Sequence, residues 1–288
     1  GDEVITTAIT APATVVSILN AKAVPVIVDV ESPTYCINPT AIKNAVSKRT
    51  RAVVCVHLHG FPAGITEIED VCLEHKLLLI EDCAQACGAS YKGNYVGGFG
   101  KASAFSFYPT KNLGALGDAG AILTNSESIG LKIKSMRNYG FDDSGRISQS
   151  GFNSRMDELH AAFLNIMLPG VTKRNQRRAY FARKYHMDLK GFSDMLPPLI
   201  HGAVYHQFPL RVRKREKFLA DLNEQGLRVG VHYPYTMGHH RAFKKYCKNI
   251  PMAEKVVKEF VSIPIQPEIL EKDYDNILAV IKKCLKNQ

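Results

Sequence analysis

No apolar run in this 288-residue chain approaches the roughly 18 residues that a membrane-spanning helix needs. No basic-then-apolar leader stands at its start. A disulfide framework is also missing. The seven cysteines (Cys36, Cys55, Cys72, Cys83, Cys87, Cys247, Cys284) are odd in number, scattered, and mostly set within apolar runs. Zinc-finger spacing, RNA-recognition signatures, internal repeats and low-complexity stretches are absent too. What is there is ordinary globular composition, 45% hydrophobic and 22% charged. The expectation is a cytoplasmic globular protein with reduced thiols, one that engages neither membrane nor nucleic acid.

The charge is unevenly placed. Residues 1–150 carry 13 Lys and Arg against 14 Asp and Glu, so the remainder carries +11, more than the whole net charge of +10. The basic residues there sit in helix-like stretches, Lys173, Arg174, Arg177 and Arg178 among them. They read as solvated helix faces, with attraction of a small anionic substrate as the alternative.

Apolar runs and helical patterns alternate along the first half. Val24–Val30, Val53–Leu58 and Leu77–Ile80 read as strands, and Asn38-Pro39 caps and opens a helix to Val46. Ile65–His75 reads as a second helix. That order predicts an α/β protein with a mostly parallel sheet sandwiched by helices. Ala102–Phe107 and Gly120–Thr124 are further strands, with helices over Ser128–Tyr139, Met156–Leu168 and Thr172–Leu189. Glycine and a proline pair in 191–198 place a boundary near 190. A large domain over 1–190 and a smaller C-terminal α+β domain over 191–288 are expected. In the latter, His206–Val212, Arg228–His232 and Ser262–Ile265 read as strands, with helices over Glu216–Gln225, from Pro251, and over Glu271–Leu285.

In a parallel sheet, ligands gather beyond the carboxyl ends of the strands. Asp82 stands at such an end, with Gln85 three residues on. A carboxylate there needs a cation, or else caps a following helix. The loop from Ser106 to Gly120 offers a hydroxyl, three glycines and Lys111. A hydroxyl with exposed amides suits phosphate, and a partly buried lysine can become a nucleophilic amine.

Taken together, Glu81-Asp82-Cys-Ala-Gln85-Ala-Cys-Gly88-Ala and Phe105-Ser106-Phe-Tyr-Pro-Thr-Lys111-Asn-Leu-Gly-Ala-Leu-Gly-Asp-Ala-Gly120 resemble the DegT/StrS family of sugar-nucleotide aminotransferases. Gly151-Phe-Asn153-Ser-Arg155-Met-Asp-Glu158-Leu, Val231-His232-Tyr233-Pro234 and Ser262-Ile-Pro264 extend the resemblance along the whole chain. It implies a pyridoxal 5'-phosphate enzyme of the aspartate aminotransferase fold, type I. Lys111 would carry the cofactor as a Schiff base and shuttle the proton, and Asp82 would pair with the pyridine nitrogen. Gln85 would lie near the phenolic oxygen and Ser106 would bind the phosphate. Asn153 would reach the phosphate of a neighbouring subunit, so a homodimer with shared active sites is implied. His232 and Tyr233 would lie near the substrate, although His232 also suits a core histidine. No metal is implied. Glutamate would donate the amine and a keto-sugar on a nucleoside diphosphate would accept it. Asn153-Ser-Arg-Met-Asp-Glu-Leu159 resembles enzymes that aminate the sugar C3 more than those that aminate C4.

Two departures accompany the resemblance. Relatives carry a segment before the position of Gly1 with a phosphate-binding turn, and an aromatic residue where Ala11 stands here. Weakened cofactor binding and exposed apolar surface are therefore expected. A non-catalytic scaffold of the same fold is the alternative function.

Overall fold

A computed structural model describes residues 1–287. The chain opens with β1 (Glu3–Thr7), α1 (Pro12–Asn20), β2 (Val24–Val28), α2 (Pro39–Ala45), β3 (Thr50–Val56), α3 (Ile65–Glu74) and β4 (Leu78–Asp82). A short hairpin follows, β5 (Ser90–Tyr91) and β6 (Asn94–Tyr95), then β7 (Ala102–Ser106) and β8 (Gly120–Leu123). The apolar runs set the sheet. Its order is β2-β1-β3-β4-β7-β8, parallel throughout except for β8, which runs antiparallel at the edge. The α/β, mostly parallel architecture expected from the sequence is thus present.

Local chemistry explains several boundaries. Asn38 caps α2, its side-chain oxygen accepting from the Thr40 and Ala41 amides at 2.8 and 3.2 Å, and Pro39 begins the first turn. The helix α1 shares only the first-turn proline, Pro12. Its N-cap is Ala11 with no side-chain cap, and its Thr-Val-Val run is poor in helix propensity. Burial of Thr14, Val15 and Ile18 holds it instead.

The second half is built from α4 (Glu127–Met136), α5 (Glu158–Met167), α6 (Val171–Asp188), β9 (Phe208–Arg211), α7 (Arg215–Glu224), α8 (Pro251–Val256), β10 (Phe260–Ile263) and α9 (Glu271–Leu285). β9 and β10 pair antiparallel. Arg228–His232 is not a strand. One rung joins it to β10, from the Ser262 amide to the Gly230 carbonyl at 2.8 Å, and the chain then turns away at His232. Aromatic rings fasten α6 to β9 and α9: Tyr185 lies 5.3 Å from Phe208 and 4.9 Å from Tyr274 between centroids. Their hydroxyls bond the Pro264 carbonyl and Asp188, both at 2.9 Å. One buried cluster runs from Ile5 in β1 to Leu285 in α9.

Candidate active site

The carboxyl ends of β3 and β4 lie side by side, Val56 opposite Asp82. Directly before Asp82, Glu81 is wholly buried. Its two oxygens accept from the Gly97, Phe99 and Gly100 amides at 2.7, 2.9 and 2.7 Å and from His57 Nε2 at 3.1 Å. His57 Nδ1 in turn accepts from the Ala63 amide, so Nε2 carries the hydrogen. Burial would raise the Glu81 pKa, but these donors hold it below the ordinary value. The Cys83 thiol lies within 4.8 Å of this pair, a grouping of metal-ligand type. Both partners are already committed to protein groups, and burial, then Glu81 and Asp82, push the thiol pKa far up. The cluster is a structural clamp on the end of β4.

Asp82 itself follows that clamp. One carboxylate oxygen accepts from the Thr14 hydroxyl at 2.8 Å, which is bonded to the Thr10 hydroxyl at 2.8 Å; the other accepts from the Ala84 amide at 3.1 Å. No helix follows Asp82, so it does not cap one. It is half-buried, and among the described residues no cation lies within ion-pair distance of it.

Gln85 is buried in the turn beyond. Its Oε1 accepts from the His59 amide, and its Nε2 donates to the Tyr233 hydroxyl at 2.9 Å. His232, next in the chain, has its carbonyl bonded by His59 Nε2 at 2.7 Å and its Nδ1 paired with the Ser262 hydroxyl at 3.0 Å. Burial and then the neighbouring Asp82 push the Tyr233 phenol up to about 12. Gly60, at φ +87°, lets these segments meet: a Cβ there would press on the His206 amide and the Gln85 carbonyl.

Lys111 sits in the loop after β7. Burial lowers its pKa from the ordinary lysine value, and the nearby Asp82 carboxylate opposes that shift. The residue after it is anchored. Asn112 donates to Asn175 Oδ1 at 2.8 Å and to the Val204 carbonyl at 3.1 Å, and its own oxygen faces His206 Nδ1 at 3.0 Å. The glycines of the loop are required by the protein's own packing, and Gly114 also lines the cavity beside Lys111. A Cβ on Gly114 would strike the Pro109 carbonyl, one on Gly117 the His160 ring, one on Gly120 the Phe105 carbonyl.

A cavity of about 660 Å³ opens beside Lys111, lined also by Asn112, Arg174, Arg178, Arg228 and His232. The basic stretch of α6 is therefore not simply a solvated face. Arg178 is only 7% exposed and reaches the Tyr205 and His206 carbonyls at 3.4 and 3.5 Å.

The structure thus brings together Asp82, Gln85, Lys111, His232 and Tyr233. Ser106 ends β7, its hydroxyl accepting from the Tyr108 amide at 3.3 Å. Asn153 stands apart: it is exposed, pairs by backbone with Asn138, and has no hydrogen bond to the other candidates. Thr14, His59 and Asn112 are close-packed members that the sequence did not mark. For His59 the one available signal was its place just past an apolar strand, in His57-Leu-His59-Gly60.

The half-buried Asp82, with no cation at ion-pair distance and near a lysine whose pKa burial lowers, suits a cationic aromatic cofactor with an aldehyde. Comparison with known proteins agrees. The profile of the DegT/DnrJ/EryC1/StrS aminotransferase family matches residues 1–282, and the chain belongs to that family. A pleiotropic regulatory protein of Geobacillus stearothermophilus is 38% identical, matched over 100% of this chain and 79% of its own length. A UDP-N-acetyl-3-dehydro-alpha-D-glucosamine 3-aminotransferase of Acidithiobacillus ferrooxidans is 35% identical over 99% of this chain and 78% of its own. Among solved structures, DesV of S. venezuelae superposes with a TM-score of 0.93 at 32% identity, over 98% of this chain and 78% of that one. The ntda protein of Bacillus subtilis, solved with bound cofactor PMP, gives 0.92 at 29% identity, over 99% and 68%. The family is one of pyridoxal-phosphate-dependent aminotransferases, and its cofactor is pyridoxal phosphate.

Proposed function

We propose that the chain moves an amino group from glutamate to C3 of a keto-sugar carried on a nucleoside diphosphate. The observation that carries this reading is the Asp82 carboxylate, with no cation at ion-pair distance, standing near Lys111, whose pKa burial lowers, at the carboxyl edge of the parallel sheet. Bound pyridoxal phosphate would supply an electron sink that makes the donor Cα–H acidic. Lys111 Nζ is assigned the covalent attachment and the uptake and return of that proton. Asp82 is assigned the cationic ring nitrogen, with Thr14 and the Ala84 amide fixing its two oxygens. Gln85 is assigned the cofactor's phenolic oxygen and Ser106 its phosphate. His232 and Tyr233 are assigned to the substrate. The arginines of the adjoining cavity suit the diphosphate. C3 is favoured by the Asn153–Leu159 motif and by relatives named for 3-amino products. We also assign residues 191–288 as the smaller domain and the cytoplasm as its location.

The reading includes a homodimer to which Asn153 contributes across the interface. Leu116, Ile122, Leu123, Leu131, Leu159 and Ile166 are between 51% and 77% exposed, six apolar side chains within fifty residues of Asn153 in the sequence. Light scattering on the full chain is expected to give twice the 31.9 kDa mass of one chain. A monomer at micromolar concentration would remove Asn153 from the site.

The function is tested by incubating the full chain with pyridoxal phosphate at neutral pH, reducing with borohydride and mapping peptides. The adduct is expected on Lys111 ahead of the exposed lysines, because a lowered pKa leaves more free amine at that pH. Adducts spread evenly over surface lysines would favour the scaffold alternative. A loaded chain is then offered glutamate and 3-keto or 4-keto nucleotide sugars, and turnover of only the 4-keto compounds would overturn the C3 assignment.

A further inference from the structure

Hydrogen bonds through His59, Gln85, Tyr233 and His232 close a ring. The His59 amide donates to Gln85 Oε1, Gln85 Nε2 donates to the Tyr233 oxygen, and His59 Nε2 donates to the carbonyl of His232, the residue bonded to Tyr233. A carbonyl can only accept, so the hydrogen of the His59 imidazole is on Nε2. Its Nδ1 has no partner, and the ring is wholly buried, edge-on to Phe260 at 5.6 Å and Phe61 at 6.4 Å between centroids. Burial takes its pKa down to about 4, so it stays neutral and keeps this tautomer.

The ring dictates polarity further out. With Oε1 committed to the His59 amide, Gln85 turns its NH2 toward Tyr233 and keeps one hydrogen unassigned. The Tyr233 oxygen accepts from that NH2, which leaves its own hydrogen free to donate. Two donors therefore stand side by side within the influence of Asp82. Such a pair binds an acceptor oxygen, most strongly an anionic one, and would be lost if the amide flipped.

We propose that His59 is a positioning residue of the transamination site: by gripping Gln85 on one side and the His232 carbonyl on the other, it presents Gln85 Nε2 and the Tyr233 hydroxyl together to an anionic oxygen. The oxygen belongs either to the cofactor or to the substrate. The inference rests on the reading of Lys111 and Asp82 as the cofactor site.

The test compares two variants of the full chain. His59→Gln places an amide donor where Nε2 was, and His59→Met keeps the length without a donor. His59→Met is expected to lose about tenfold, the scale of a buried polar group left unpaired, with His59→Gln within about threefold of the parent. A loss in pyridoxal phosphate affinity, with a displaced absorbance band of the bound cofactor, assigns the oxygen to the cofactor. A raised KM for the amino acceptor with an unchanged band assigns it to the substrate. Equal behaviour of the two variants, at matched thermal midpoints, overturns the positioning role. Where His59→Met does not fold, nitrogen-15 spectra of the parent chain decide: a neutral Nε2–H imidazole supports the ring of bonds, and an Nδ1–H imidazole overturns it. A parent chain that takes no adduct on Lys111 refutes the cofactor reading instead, and the same spectra still decide the ring.

Discussion

Lys111→Ala is expected to lower transamination by roughly 10⁴-fold or more, the upper range for loss of a positioned acid–base group, because that one amine also provides the covalent attachment. The borohydride-stable adduct should vanish with it. The fold should not. Lys111 makes no ion pair among the described residues, and the loop is held by Asn112, whose amide and carbonyl bond Asn175, Val204 and His206. The thermal midpoint should therefore stay within a few degrees of the parent. Asp82→Asn is the milder companion: it keeps a group that can meet Thr14 but removes the charge, so turnover falls while the protein remains folded. Turnover by the Lys111 variant at more than a hundredth of the parental rate would remove the central assignment. A variant that fails to fold would show instead that the lysine is structural, and circular dichroism separates the two.

The parallel sheet was legible because its strands are nearly continuous apolar runs spaced by helical patterns, and β1, β2 and β3 are buried on both faces. Lys111, Asp82 and Gln85 were singled out by the family motifs around them; position past a strand alone left Asp82 open to a helix-capping role, which the structure removes because no helix follows it. What escaped depends on contacts between distant segments. The helix α1 carries β-branched residues and no capping side chain, so Pro12 is its one local start signal and tertiary burial holds it. Arg228–His232 alternates like a strand, but β10 offers it a single rung. Arg178 looked like part of a solvated face because the helix pattern cannot register the Tyr205 and His206 carbonyls that arrive from β9's approach. The loop glycines were read as leaving room for a ligand; each also avoids a protein atom, of Pro109, Phe105 or His160, that only the fold brings near. His59 stands 173 positions before the carbonyl it bonds, and nothing local marks such a link.

Glu81→Gln is expected to destabilise the protein by about 3 kcal/mol at pH 7, a large share of the 5–15 kcal/mol typical of a folded protein. The carboxylate accepts from three backbone amides and His57 through both of its oxygens. A glutamine offers one oxygen. Whichever way it turns, its NH2 faces at least one hydrogen-bond donor, and a buried amide is left unpaired. The pH dependence separates this mechanism from a generic packing loss. The Glu81 pKa is lowered in the folded protein from 4.5, so its contribution is complete above that value and lost as pH falls through the lower folded-state value. The difference between parent and variant in urea unfolding should therefore be large at pH 7 and shrink in acid below about 4.5. A difference that is constant with pH, or smaller than about 0.5 kcal/mol at pH 7, would refute the clamp. The consequence reaches function through one peptide bond. Glu81 pins the end of β4 to the 97–100 loop, and Asp82 is the next residue, so freeing the clamp lets the carboxylate drift from Thr14. Cofactor retention by Glu81→Gln should fall along with stability.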